Sequence, residues 1–384
     1  MFLQSDRFHT LRLYANALPG RDGFRLWPPH CILSEVEHKE ALMRMRNPEF
    51  GGLALAAAGV ATAIGLYAQR RRAYSFAGQT VVITGGSRGL GLVIARQLAA
   101  EGARLMLVAR DPHELSRAAA DIRGRHPGTE VSTVAADITQ RADVERAVSA
   151  TIVAFGRVDV LINNAGIIQV GPLDHMKLSD FEDAMKTHFW GPLFFIVAAL
   201  PHMRRQGRGR IVNISSIGGR ISVPHLVPYS ASKFALVGLS DGLRAELAHE
   251  NIVVTTVCPG LMRTGSPVNA SFKGEQAKEY SWFAIASSLP GLTTSAERAA
   301  RQIVGACRRG DAELVITLPA KLAVLARNLT PELFSEALSL THQMLPGPVG
   351  VEGDVAQPGR VAGPGWAPPA LLAPMHAAAR KNNE

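Results

Sequence analysis

At 384 residues the chain can form one large core with appendages or two modest ones, and its 47% apolar and 19% charged content is that of an ordinary globular protein. The formal charge of +9 is scattered among acids, with tight basic runs only at 70–72 and in "RRQGRGR" at 204–210. With no zinc-finger spacing and no basic–aromatic module, this pattern argues against a nucleic-acid partner and for a solvated face or attraction to an acidic membrane surface.

Residues 1–49 mix Pro, Gly, His and charge without sustained periodicity and read as poorly ordered. The apolar segment 50–72 follows, with the uncharged run "GGLALAAAGVATAIGLYA" at 51–68 and then Arg70, Arg71 and Arg72. As a helix that run spans about 27 Å against about 30 Å of hydrocarbon, which fits a membrane anchor with Tyr67 and the arginines at the interface. A soluble or interfacial helix and a cleaved export signal, with "MRMR" as its basic leader, are the other readings.

From Thr80 onward, short β-branched runs alternate with helical stretches: "TVVIT" and "GLVIARQLAAEG", "ARLMLVAR" and "PHELSRAAADIRGR", "EVSTVAAD" and "QRADVERAVSATIVAFG", then "VDVLINN". The alternation predicts an α/β fold over 75–318: a Rossmann-like, doubly wound parallel sheet with helices on both faces. A long helix near 180–204, the strand "GRIVNISS", a helix near 228–249, the strand "NIVVTTVCP" and a last strand at "AELVIT" continue it. Two amphipathic helices are expected over 319–345. The Pro/Gly-rich stretch 346–384 reads as a disordered tail, because such composition buries too little apolar surface to offset its ordering entropy. Cys31, Cys258 and Cys307 form no C-x-x-C pair; the sparse, odd set suits a reducing compartment, with Cys258 and Cys307 as small core residues.

The first strand runs into "TGGSRGLG" at 84–91, just where a helix begins. Gly85 permits a tight turn, Gly89 a close backbone approach to a pyrophosphate, and Gly91 close helix–strand packing; the helix N-terminus then offers unpaired N–H groups to phosphate. Farther on stand "NNAG" at 163–166, "YSASK" at 229–233, and Pro259 and Gly260 ahead of Thr264. With these four motifs in this order, the chain resembles the classical short-chain dehydrogenase/reductase family over about 75–317.

The resemblance implies a dinucleotide held by Thr84, Gly85, Ser87, Arg88, Gly89, Leu90 and Gly91, by Asp137 and Ile138 beside the adenine, and by Asn164, Ala165 and Gly166. Tyr229, Lys233, Pro259, Gly260 and Thr264 complete the set. The second strand ends in Ala109 and Arg110 where NAD enzymes usually carry an acid, so Arg110 and Arg88 favour the 2′-phosphate of NADP(H) over NAD(H), with Asp111 one step beyond dissenting. Lys233 lies one helical turn past Tyr229, so its ammonium, together with the positive charge of the oxidised nicotinamide, would draw the phenol's pKa down toward a working acid/base range.

Ser216, thirteen residues before the tyrosine, would stabilise charge on the substrate oxygen, while Ser215 points to the other side of its strand. His188 stands where the family commonly has asparagine in a proton relay: its backbone could do that work, its imidazole could shuttle a proton, or it could simply pack. Ile167, Ile168, Val223, Leu226, Phe272, Trp282 and Phe283 on the substrate-side segments suggest an apolar alcohol, ketone or aldehyde, steroid-, retinoid- or lipid-like. A dinucleotide-binding regulatory or scaffold protein without turnover is the alternative. The resemblance further implies a homodimer or homotetramer, and the need for the cytosolic cofactor pool places an anchored catalytic domain on the cytoplasmic side.

Overall fold

The protein is described by a computed structural model covering Gly59, residues 74–363 and residues 365–384. Apart from Gly59, the apolar segment 50–72 lies outside the described residues. Contacts group Ala68–Glu384 as one compact unit.

Seven parallel strands form its centre: β1 (Thr80–Thr84), β2 (Arg104–Ala109), β3 (Val131–Ala135), β4 (Val160–Asn163), β5 (Gly209–Ile214), β6 (Ile252–Pro259) and β7 (Glu313–Ile316). They lie in the order β3-β2-β1-β4-β5-β6-β7, with Val81 beside Leu105 on one flank and Val160 on the other. The direction of winding therefore reverses at β1 and β4, and the crevice beyond the carboxyl ends of these strands is where open α/β sheets bind ligands.

Alternate side chains of one strand feed two cores. Val81 and Ile83 pack with Leu92 and Ile94 of α1 (Gly89–Ala100), Leu115 and Ile122 of α2 (Pro112–Arg125), and Ile303 of α8 (Ala296–Arg309). Val82 turns to the opposite face, against Val144 of α3 (Arg141–Phe155) and Phe195 of α5 (Gly191–Arg205). Burial on both faces explains why inner strands such as β1 and β2 read as continuous apolar runs rather than alternating ones.

The long helix expected at 180–204 is in fact α4 (Leu178–Met185), a π-helical turn at Lys186–Trp190, and α5. Pro192 has no N–H to give the carbonyl four residues back, on His188, and the spacing widens there, with Gly191 N–H reaching the Lys186 carbonyl. Beyond it α6 (Val227–Leu247) lies against β6, and α7 (Gln276–Ala286) caps a third cluster built on Val170, Phe272, Tyr280 and Phe283. The two helices expected after the last strand are α9 (Leu318–Leu329) and α10 (Pro331–Gln343).

The segment 346–384 departs from its expected disorder. Gln357–Pro358 pairs antiparallel with Ser271–Phe272, and α11 (Pro369–Lys381) sinks Leu372, Met375 and Ala379 into the protein. Leu372 and Met375 join the third cluster, each worth about 1.5–3 kcal/mol of burial. Polar ties add to this: Asp354 bonds His175 Nδ1 at 2.9 Å, Val349 N–H donates to His175 Nε2 at 3.0 Å, and Lys381 pairs with Glu297 at 2.5 Å. A Pro/Gly-rich composition forbids an independent core but not docking onto one already built.

Candidate active site

The glycine turn sits at the carboxyl end of β1. Gly85 and Gly89 have φ of +63° and +55°, in the left-handed region that glycine enters without strain. Gly91 faces the Gly85 carbonyl so closely that a Cβ would overlap it, and would stand 2.7 Å from Asn164 Nδ2. The end of β4 is stitched to this turn: Thr84 Oγ1 accepts from Asn164 N at 2.9 Å and Ala165 N at 3.1 Å, while Asn164 Nδ2 donates to the carbonyls of Thr84 and Gly85.

Ser87 is buried and donates to Glu114 Oε2 at 2.9 Å, and Arg88 bonds the other Glu114 oxygen and Asn269. Leu90 packs at the edge of the first core. Arg110 lies exposed just past β2. The neighbouring Asp111 carboxylate is committed to capping α2, accepting from His113 N at 2.7 Å and Glu114 N at 3.1 Å, and these bonds hold its pKa below the usual range. Asp137 closes a local turn by accepting from Thr139, and Ile138 packs under Gly191. Pro259 ends β6, Gly260 N–H bonds the Ile316 carbonyl at 3.1 Å, and buried Thr264 shares a 2.7 Å hydrogen bond with Ser266.

Next to this cradle stand the side chains of α6 and β5. Ser216 caps the short turn Ile217–Gly219, its Oγ accepting from Gly218 N at 3.0 Å, and it stands with the Tyr229 ring against Gly218. Gly218 leaves room for the tyrosine ring, since a Cβ there would come within 3.0 Å of Tyr229 Cε1. Ser215 is spent elsewhere, donating to the Lys233 carbonyl at 3.0 Å. Lys233 is buried, with Nζ donating to the Ile214 carbonyl at 3.0 Å and lying 5.7 Å from the tyrosine ring centre; it also borders Gly166.

In the protein without cofactor, and so without the nicotinamide charge, burial governs both members of the pair. Burial pushes Tyr229 up to about 12, opposed by the neighbouring Ser216 hydroxyl, and pushes Lys233 down to about 7. At neutral pH Tyr229 therefore holds its proton, as a donor to a carbonyl oxygen must.

His188 is buried at the π-turn, edge-on to Tyr229 with ring centres 5.3 Å apart. Its Nε2 accepts from Ile167 N at 3.1 Å, which leaves the proton on Nδ1 to be donated to Ser232 Oγ at 2.7 Å; Ser232 in turn donates to the Tyr229 carbonyl. Burial, aided by the Lys233 charge, drives its pKa well below the ordinary value. With both nitrogens engaged and the ring neutral, of the three readings of His188 the imidazole shuttle has least support in the geometry; the ring instead ties three elements together around Tyr229. Ser232 and Glu114 had no sequence signal, because each acts by holding another residue rather than by belonging to a motif.

Residues 79–273 match the short chain dehydrogenase family. The chain belongs to this family. Its members bind a nicotinamide dinucleotide, and the protein is an oxidoreductase acting on CH–OH groups and the corresponding carbonyls. It is 35% identical over 270 residues to dehydrogenase/reductase SDR family member 7B of Bos taurus, covering 69% of this chain and 81% of that one. It is likewise 35% identical over 232 residues to 11-beta-hydroxysteroid dehydrogenase-like 4A of Arabidopsis thaliana, covering 60% and 74%. Among solved structures, the L-sorbose reductase of Gluconobacter frateurii in complex with NADPH and L-sorbose superposes with a TM-score of 0.58 at 26% identity, covering 63% of this chain and 96% of that one.

Proposed function

We propose that the protein is an NADP(H)-dependent dehydrogenase/reductase that interconverts an apolar ketone or aldehyde with its alcohol. The observation that carries this reading is the placement of Ser216 Oγ and the Tyr229 ring together beside Gly218, with buried Lys233 one turn away, at the same end of the sheet as the glycine turn.

The cradle suits a dinucleotide phosphate: the positive-φ glycines open a space at the N-terminus of α1, and a carboxylate already lies in it, with Glu384 Oε1 2.8 Å from where a Gly89 Cβ would be. When bound, the nicotinamide supplies or receives the hydride. Ser216 and Tyr229 then hold the substrate oxygen between two hydroxyls, and Tyr229 gives its proton to that oxygen in reduction or takes it in oxidation. Lys233, bordering Gly166, is placed to hold the nicotinamide ribose and to return a proton to the tyrosine. His188 and Ser232 keep the tyrosine's helix and the Ile167 loop in register.

Preference for the phosphorylated dinucleotide rests on Arg110, exposed at the end of β2, beside an Asp111 whose carboxylate is taken by its helix cap and not offered to a ribose. The presence of NADPH in the sorbose reductase complex supports the same choice. Arg110→Glu removes a charge-assisted hydrogen bond worth about 1.5–3 kcal/mol, so the NADPH KM rises roughly 10–100-fold with the NADH KM little changed. Steady-state kinetics with both cofactors check this, and a wild-type preference for NADH would overturn it.

For the substrate, Ile168, Val223, Leu226, Phe272, Trp282 and Phe283 gather in one cluster with Tyr229. Such an apolar wall fits a steroid-, retinoid- or lipid-like carbonyl, and the Arabidopsis relative bears a hydroxysteroid dehydrogenase-like name. A panel of hydrophobic ketones and aldehydes set against polyhydroxylated ketones tests this; faster turnover of the polyhydroxylated set would sink it. Trp190 and Val197 stand exposed beside and along α5, in keeping with self-association of the kind common in the family.

Among the described residues no helix is long and apolar enough to cross a membrane. Anchoring through 50–72, with the catalytic domain on the cytoplasmic side, is proposed from the uncharged run at 51–68 and its arginine border. Full-length protein is expected to stay with the membranes through an alkaline carbonate wash, and its release into the wash would exclude a spanning segment.

A further inference from the structure

Residues 381–384 end in the dinucleotide cleft, on groups that a cofactor would need. The Gly89 N–H, at the N-terminus of α1, donates to the Asn382 carbonyl at 2.9 Å. Asn383 Nδ2 donates to the Ser87 carbonyl at 2.8 Å. The Glu384 side chain spans the cleft: Oε1 lies 2.8 Å from the position of a Gly89 Cβ, while Oε2 accepts from Gly265 N at 2.5 Å, next to Thr264.

This placement is braced from several sides. Arg96 donates to Asn382 Oδ1 at 2.8 Å and to the Lys381 carbonyl, and Arg117 donates to Asn383 Oδ1 at 2.9 Å. Lys381 pairs with Glu297, and Asn382 is wholly buried. Burial raises Glu384 to about 7, opposed by the Gly265 hydrogen bond and the charge of Arg88 and reinforced by Glu114, so near neutral pH the carboxyl enters the cleft without carrying a full buried charge.

Three features of this contact overlap a phosphate's place: the Gly89 amide at the start of a twelve-residue helix is taken by the Asn382 carbonyl, a carboxyl group lies over Gly89, and the pocket is kept open by glycine. We propose that residues 381–384 are an autoinhibitory strap that takes the phosphate end of the dinucleotide site, so that cofactor binds only when the strap lifts. This rests on the reading of the glycine turn as that site. The buried apolar residues of α11 keep the strap tethered after release, because Leu372 and Met375 dock on the third cluster and not in the cleft. Docking of the strap thus joins the cofactor cleft to the cluster that forms the proposed substrate wall.

The experiment compares NADPH affinity, by fluorescence titration, for the full chain, the full chain carrying Glu384→Ala, and a chain lacking 382–384. If the strap leaves the cleft open less than about a tenth of the time, its removal tightens NADPH binding about tenfold or more. Turnover at saturating NADPH stays the same, because the substituted and deleted residues touch neither Tyr229 nor Ser216. Hydrogen exchange on the unaltered full chain gives a second measurement that needs no variant: NADPH is expected to raise exchange at the amides of 378–384. Equal NADPH affinity in all three proteins, with exchange at 378–384 unchanged or slowed, overturns the strap while leaving the dinucleotide site intact. Failure of all three to bind either NADPH or NADH overturns the reading of the site, and the strap with it.

Discussion

Tyr229→Phe lowers turnover by roughly 10²–10⁴-fold while the NADPH dissociation constant stays close to that of the parent, the range expected for loss of a positioned proton donor. The ring remains in place, wedged between Gly218 and His188, so the substitution removes the hydroxyl and little else. The direction of catalysis should be visible in its pH dependence. With the phenol pushed up to about 12 in the protein without cofactor, the protonated form needed for reduction dominates at neutral pH, whereas oxidation of the alcohol needs the phenolate. Because Lys233, which returns the proton, titrates near 7, reduction is expected to be highest at pH 6 and to fall toward pH 8 while oxidation climbs with pH. Stopped-flow turnover and cofactor titration on the same preparation check both halves. A variant that retains full turnover would place the proton elsewhere. A parent that binds cofactor yet turns over none of the hydrophobic panel would favour a dinucleotide-binding scaffold.

How far such a site can be read from sequence depends on whether its parts act through the backbone or through distant side chains. The glycine turn was legible because positive φ and close approach admit almost no other residue, and Gly85, Gly89 and Gly91 carry those constraints where a strand passes into a helix. The alternation of strands with helices was legible because inner strands such as β1 and β4 are buried on both faces, which leaves apolar runs. Tyr229 and Lys233 were visible as a helical-spaced pair, but their electrostatics were not. Spacing shows that a lysine is near a tyrosine; it does not show how deeply both are buried, or that Nζ points to the Ile214 carbonyl.

Two other features depended on contacts between residues far apart in the chain. Pro192 breaks the expected long helix in a way its neighbours do not announce, and the resulting π-turn sets His188 between the Ile167 amide and Ser232. The segment 346–384 looks unable to fold because the reading of composition asks whether a segment can make its own core. Here the core is borrowed from Phe272, Tyr280 and Phe283, and the polar end is held by Arg96 and Arg117 from α1 and α2. Local signals cannot report such partners.

The second large effect is expected at Gly91, the third glycine of the turn. Gly91→Ala puts a methyl group on top of the Gly85 carbonyl, with Asn164 Nδ2 only 2.7 Å away, and both belong to the stitching between β1 and β4 rather than to flexible side-chain ends. The backbone must give way, so overpacking costs about 1–3 kcal/mol of stability. The greater loss is in binding. Displacing the Gly85 peptide swings the first turn of α1 out of line with the cleft and releases Asn164 from its carbonyl partners, so dinucleotide affinity is expected to fall by about 100-fold or more, equivalent to about 2.8 kcal/mol. Gly124→Ala is the matched control, since a Cβ on that exposed glycine of α2 meets nothing within 4 Å and the cleft is untouched. Calorimetric titration of NADPH into both variants, with thermal melts to confirm folding, separates the two losses. A folded Gly91→Ala protein that binds NADPH as tightly as the Gly124→Ala control would mean that the phosphates do not lie on this turn.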